Sequence, residues 1–327
     1  MKHKISRETK DTWEKGEEKN KYKKVFLIFI ASFIVFMAGL LILHNKNDAD
    51  NKIVENKDVI TDIQDDVQAK AEEDLKKKAE EKAALEVSKI ETEIEKILGD
   101  NKTFYGIYYY DFNSGLEYSV NGDKEFHAAS TIKVPIAMMI SDKLYNKEIS
   151  EDMLIEYTLD NREDGAGVLQ GSIVLGDKIK VSDLMKHMIE ESDNIATSML
   201  KKNLSSVPEY IMKVTGVNAG NDKNYITPRQ SYTILKKLYE ESESNVYYKK
   251  VLQMMKETSS HDRLDKYIPI EMISHKIGDY DQYVNDIGIV HTKEPYILVV
   301  YTKGVMEEGR ENIARISKAI YDIKTSN

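Results

Sequence analysis

Apolar and polar positions fall into distinct regimes along the 327 residues. The run "VFLIFIASFIVFMAGLLIL", Val25 to Leu43, has no charged side chain over 19 residues, long enough to cross bilayer hydrocarbon as a helix. It follows a polar head of 24 residues, and "HNKNDAD" comes next rather than a small-x-small cleavage site. An uncleaved anchor is therefore expected rather than a signal peptide. From Asn45 to Lys82 the chain is polar, with Ile63, Val67, Ala71, Leu75 and Ala79 recurring every four positions. Glu72 with Lys76, Glu73 with Lys77 and Asp74 with Lys78 add helix-supporting spacing. This predicts a solvated helical stalk. A dimeric coiled coil is the weaker alternative, because a four-residue step drifts off a heptad seam and the stripe is rich in alanine. The pattern becomes more apolar through Leu85, Ile90, Ile94, Ile97 and Leu98 and stops at Gly99, a plausible C′ position.

Beyond Gly99, "TFYGIYYYDFNSGLEYSVNGDKEF" holds two β-rich runs broken at Asn113-Ser114-Gly115 and ended by Asn121-Gly122, the pattern of a hairpin. Ala128 to Glu241 reads as mainly helical. Met272 to Lys276, Asp286 to His291 and Tyr296 to Tyr301 are short β-type runs, and "GRENIARISKAIYDI" is an amphipathic closing helix. The order predicts an α+β domain: an antiparallel five-stranded sheet flanked by helices, plus an all-helical lobe. A site between sheet and lobe follows naturally. The boundaries are a basic tail over 1–24, an anchor over 25–43, a charged stalk or linker over 44–83 and one folded domain over 84–327.

Charge refines the picture. Nine Lys and Arg precede the apolar run, four of them (Lys19, Lys21, Lys23, Lys24) close to its start, which places the amino terminus in the cytoplasm and the folded domain outside. The net charge of −9 gives no basic footprint for a nucleic acid. With no cysteine, thiolate chemistry, disulfides and cysteine metal sites are excluded, in keeping with an exported protein of a disulfide-poor bacterium. His127, His187 and His275 lack metal-ligand spacing and read as structural or exposed; no cofactor is expected. The oligomeric state is open.

Candidate chemistry begins at "HAASTIKVPIAMM", where Lys133 stands three residues after Ser130 inside an apolar segment. Residues i and i+3 share a helix face, and Pro135 fits an early helix position, so Ser130 is placed near a helix start, where N–H groups favour negative charge. Ser198 and Lys201 have the same spacing without that context. Ser192-Asp193-Asn194 precedes a second helical stretch, and His275-Lys276-Ile277-Gly278 ends a strand-like run.

In this order the three segments resemble the motifs of the penicillin-recognising serine hydrolases, most closely the class A β-lactamase-like family. The resemblance runs from about Leu85 to Ile323 and includes "GAGVLQG" (Gly165 to Gly171), "TPRQ" (Thr227 to Gln230) and "NDIGIV" (Asn285 to Val290). It implies Ser130 as acylated nucleophile, Lys133 as its proton acceptor and Ser192 as proton relay to the leaving nitrogen. Asn194 would hold the substrate amide and Lys276 would add positive potential. Gly278 and Asp279 would lie at the substrate, the N–H groups of Ser130 and Asp279 forming an oxyanion hole. A lysine can act as base only if burial or a neighbouring cation lowers its pKa, and Lys276 is the expected cation. Asp193 reads as structural.

Two departures bear on function. Ile277 stands where the family carries Thr or Ser to grip a substrate carboxylate. The deacylating Glu-x-x-Leu-Asn context is missing from the short stretch between Asn194 and Thr227, where Glu209 and Asp222 do not fit. The expectation is an extracytoplasmic serine hydrolase acting on a β-lactam, a cell-wall peptide or an ester. A degenerate domain used for binding or sensing is the alternative from another class, and an envelope spacer acting through its stalk is a third.

Overall fold

The computed structural model describes residues 50–202, 206–217 and 224–326, with side chains from residue 69. The predicted anchor at Val25–Leu43 and the basic tail lie outside the described residues. Among the described residues no helix is long and apolar enough to cross a membrane. The chain divides into two compact units, Met1–Lys76 and Lys77–Asn327. What is described of the first is helical.

Helix α1 (Asp50–Leu98) is continuous. Its described residues up to Lys82 are exposed, and Leu85 is exposed too, so burial begins later than the apolar pattern suggests. Ile90, Ile94 and Leu98 are buried, one side of the helix at i, i+4, i+8. Gly99 takes φ +50 after the last turn, as a C′ glycine should.

Strands β1 (Tyr105–Asp111), β2 (Glu117–Val120), β7 (Ile273–Tyr280), β8 (Tyr283–Val290) and β9 (Tyr296–Thr302) form the predicted sheet. Their order is β2-β1-β9-β8-β7, and every pairing is antiparallel. β1, β8 and β9 are buried along their whole length, because both faces are covered. Alternation divides the strand side chains. Tyr105, Ile107, Tyr109, Leu298 and Val300 join Ile90, Ile94 and Leu98 of α1, together with Ile313, Ile316 and Ile320 of the closing helix α8 (Met306–Thr325). Tyr108, Ile297, Val299 and Tyr301 join the lobe.

That lobe is built on α2 (Lys133–Tyr145), whose residues from Lys133 through Ser141 are all buried. Around it lie α3 (Val181–Glu190), α4 (Asn194–Lys201), α5 (Val207–Thr215), α6 (Pro228–Glu240) and α7 (Val246–Lys256). Three short strands also interrupt the segment read as helical: β4 (Leu154–Glu156) pairs with β5 (Lys178–Lys180), and β6 (Tyr225–Ile226) pairs with β3 (Phe126–His127), which lies just before that segment. Two or three residues per strand carry too little periodicity to be read.

β7 and β8 extend further than expected, to a reversal at Asp281-Gln282 with Asp281 at φ +49. Polar Asn285 hid the start of β8, and both it and Asp286, the first residue of the predicted run, are buried because they are partnered. Asn285 Nδ2 donates to the His127 carbonyl at 2.9 Å, and Asp286 accepts from Leu264 N–H at 3.0 Å.

The core closes around one cation. The Lys324 ammonium, on α8, bonds Glu86 of α1 at 2.9 Å, Glu294 at 3.1 Å and Asp111 at the end of β1. Lys324→Ala would leave these carboxylates without a counter-charge and is expected to destabilise the domain by about 3–5 kcal/mol. Urea unfolding followed by circular dichroism reads this directly; a loss below about 1 kcal/mol would reduce the cluster to an ordinary surface ion pair.

Candidate active site

Ser130 lies in a 3-10 turn (Ala129–Ile132) that runs straight into α2. Ala129 is held at φ +50, a conformation an L-residue keeps only when its surroundings impose it. The surroundings are specific. Thr131 Oγ1 donates to the Ala128 carbonyl at 2.8 Å and meets Tyr301 Oη of β9 at 2.9 Å. Asn224 Nδ2 donates to the Ala129 carbonyl at 3.2 Å. Gly278 passes so close that a Cβ there would stand 2.8 Å from the Ala128 carbonyl oxygen and 3.0 Å from the Ser130 nitrogen. Glycine is thus what lets edge strand β7 lie beside the Ser130 turn.

The second segment turns on Ser192, at φ 53 between α3 and α4. Asp193 is fully buried and caps α4 by accepting from Ala196 N–H at 2.8 Å; it also accepts from Leu169 N–H at 2.7 Å. Its role is structural, as read from the sequence. The Gly165–Gly171 loop folds over this turn. Asn194 N–H donates to the Ala166 carbonyl, and Asn194 Nδ2 to the Asp164 carbonyl, both at 2.9 Å. A side chain at Gly167 would collide with Asp193, its Cβ 2.5 Å from the Asp193 Cα.

The two lysines meet on Ser192. Lys133 Nζ donates to the Ser192 carbonyl at 2.5 Å, to Asn194 Oδ1 at 2.8 Å and to Ser192 Oγ at 3.3 Å. Lys276 Nζ, reaching in from β7, donates to the same Ser192 Oγ at 3.0 Å. Lys133, Ser192, Asn194 and Lys276 therefore converge. The described hydrogen bonds of Lys133 go to Ser192 and Asn194 rather than to Ser130, one helical turn away.

Burial lowers the Lys133 amine to about 8, against the opposing pull of Asp193. Burial, and then the Lys133 ammonium, lower Lys276 further, to about 7. Burial is thus the leading cause for both lysines, ahead of the neighbouring cation that the sequence suggested, and beside it each ammonium disfavours charge on the other.

A cleft of about 640 Å³ opens in front of this cluster, lined by Ser130, Lys133, Asn194 and Asp279. Lys276 has no exposed surface, and neither it nor Ser192 is among the residues that line the cleft. The Asp279 carboxylate is engaged by Arg263 at 2.5 Å and Arg310 at 2.8 Å. Ile277 is half-buried and offers no hydroxyl. Glu209 is exposed in the first turn of α5, and Asp222 lies outside the described residues.

Sequence reasoning missed other parts of the wall. Tyr280 stacks on His127 with ring centres 4.2 Å apart, and both line the cleft, as does Glu163. Thr197, Ser198 and Lys201 line it beside Asn194. The legible signal was the spacing 194, 197, 198, 201, a polar stripe on one side of α4. The second serine–lysine pair thus belongs to the cleft after all.

Residues 89–323 match the profile described as the beta-lactamase enzyme family. Among solved structures, PBP-A is similar over 73% of this chain and 96% of that chain, with 23% identity and a TM-score of 0.67. A variant of PBP-A in an acyl-enzyme complex with penicillin G matches over 73% and 97%, again with 23% identity and a TM-score of 0.67. A β-lactamase from Sphaerobacter thermophilus matches over 73% and 98%, with 21% identity and a TM-score of 0.64. At these identities the likeness to each is one of fold.

The Lys133 environment is open to direct measurement. In a lysine-selective NMR titration the Lys133 side chain is expected to lose its proton near pH 8. A midpoint at the ordinary value of about 10.4 would contradict the buried, two-lysine arrangement.

Proposed function

The chain belongs to the beta-lactamase enzyme family, and on that footing we propose that it is a serine acyl-transfer hydrolase whose nucleophile is Ser130. The observation that carries this reading is the meeting of Lys133 and Lys276 on Ser192, beside the Ser130 turn. A serine hydroxyl needs a base to become nucleophilic, and Lys133, lowered to about 8, has a neutral form within the physiological range.

The proposed sequence begins when Lys133 Nζ takes the Ser130 proton as Oγ bonds to the substrate carbonyl carbon. The carbonyl π pair moves onto oxygen, where the N–H groups of Ser130 and Asp279 receive it; one such donor is worth about 3–4 kcal/mol. On collapse of the adduct the carbon–nitrogen bond breaks. Ser192 Oγ gives its proton to the leaving nitrogen and is resupplied from the lysine ammonium hydrogen-bonded to it. Asn194 holds the substrate amide. That Lys133 now bonds Ser192 and Asn194 rather than Ser130 fits a resting site, since catalytic hydrogen bonds often tighten only when substrate arrives.

The substrate class proposed is a β-lactam, or a cell-wall peptide or ester of the same acyl type. Ile277 cannot grip a substrate carboxylate, and Lys201 and Lys202 on the cleft wall are cations available for one. The missing glutamate context supports a slow second step, in which the acyl group stays on Ser130. The same two departures are what favour the alternative reading, a degenerate domain that binds or senses without turnover. In either case the domain would be held outside the membrane by Val25–Leu43, a reading supported by the apolar run and the lysines before it.

A fluorescent penicillin is expected to label the wild-type chain, and Ser130→Ala to abolish the label. Lys133→Ala should slow labelling by about 10²-fold or more, the range of a lost general base. Absence of wild-type labelling, or equal labelling of Ser130→Ala, would overturn the acyl-serine reading. Nitrocefin is expected to be consumed slowly after one equivalent; rapid steady turnover would show that another group supplies the deacylating base.

A further inference from the structure

Behind the cleft, among the described residues, one group of side chains offers donors suited to a metal ion. His261 and Asp265, on the turn after α7, meet His275 on β7, with one donor atom from each within 4.8 Å of the others. Neither the serine chemistry nor the fold uses them as a group. From the sequence His275 reads as structural or exposed, because its partners stand 10 and 14 residues away with no metal-ligand spacing to betray them.

Two features separate this group from an ordinary polar cluster. His275 Nδ1 lies 2.9 Å from Asp286 Oδ2, and Asp286 is itself fixed by Leu264 N–H at 3.0 Å. Burial opposes charge on the His275 ring, but Asp286 and Asp265 on either side outweigh it and raise its pKa to about 9, so at neutral pH Nδ1 donates toward Asp286 and a proton on Nε2 faces Asp265. His275 Nε2 and Asp265 Oδ1 are both buried without a hydrogen-bond partner, and Nε2 faces Asp265 Oδ2 across 3.4 Å. A positive centre is held between Nε2 and the Asp265 carboxylate, and in the metal-free protein the Nε2 proton supplies it without reaching a close hydrogen bond. His261 Nδ1, bonded to Asp265 Oδ2 and with its side chain 45% exposed, completes the group on the solvent side.

We propose that His261 Nδ1, the Asp265 carboxylate and His275 Nε2 form a binding site for a first-row divalent transition ion of the Zn²⁺ type, with solvent as fourth ligand. Two imidazoles and one carboxylate suit such an ion, whereas calcium and magnesium take oxygen ligands. The Asp286–His275 contact supplies the carboxylate–histidine orientation usual behind a metal-bound imidazole. Asp265 and Asp286 balance the charge of a divalent ion, and exposed His261 gives it a way in. On binding, the His275 Nε2 proton and the proton between His261 and Asp265 both leave to solvent as the ion takes their place. The ion would tie the turn after α7 to β7, one residue before Lys276, and so brace the strand that carries it. This inference does not depend on the acyl-serine reading.

The test uses the full chain in detergent, stripped with a chelator and titrated with Zn²⁺ by calorimetry and with Co²⁺ by visible absorption. Saturable binding of one ion per chain is expected, with the intense Co²⁺ bands of a four-coordinate site and a thermal midpoint that rises with added Zn²⁺. His261→Ala, a change at the exposed ligand, should keep the wild-type circular dichroism spectrum and lose saturable binding, while Asp286→Asn should weaken binding about 10–100-fold. Absence of saturable binding to wild type, or unchanged affinity in His261→Ala, would overturn the proposal. So would a Co²⁺ spectrum of the weak octahedral type, whatever the variants do.

Discussion

Two ammonium groups cannot comfortably share one half-buried hydroxyl, and this constraint organises the domain. Lys133 and Lys276 approach Ser192 from different elements, each removed from water. Their mutual repulsion and the loss of hydration both favour the neutral amine. A lysine that would be fully charged on the surface becomes a base close to neutrality.

The fold makes that meeting possible by supplying each partner from a rigid element. α2 is buried through most of its length, so its first residue, Lys133, has no route by which to snorkel outward. β7 is the edge of a sheet covered on both faces, and Gly278 lets it lie against the Ser130 turn. Ser192 is held at positive φ by a capped helix on one side and the Gly165–Gly171 loop on the other. The strained Ala129 and Ser192 backbones are thus both pinned by surrounding hydrogen bonds, as sparsely populated conformations must be.

Much of this was legible in the sequence, and the failures have physical reasons. The five strands and the helical lobe could be read because two covered faces make β1 and β9 continuously apolar, while the closing helix shows a clear period. The positions of Ser130, Lys133, Ser192 and Lys276 could be read from the order of three short segments. Strand ends at β7 and β8 could not: β7 runs on to Tyr280 and β8 begins at Tyr283, and Asn285 looks like a loop residue until its buried partner is known. Nor could the leading part that burial plays in lowering both lysines, which depends on how other elements close over them. The grouping of His275 with His261 and Asp265 arises only from tertiary packing, which brings distant turns together without any spacing rule.

The central claim is that a buried, neutral Lys133 activates Ser130. It is tested most directly by following the rate of penicillin adduct formation against pH, with the modified peptide identified by mass spectrometry. Because the Lys133 pKa is lowered, its base form is present above about 8 instead of above about 10.4. Acylation of the Ser130 peptide should therefore rise with pH and level off beyond a midpoint near 8. A rate that is flat across that range, or an adduct on a peptide without Ser130, would contradict the account.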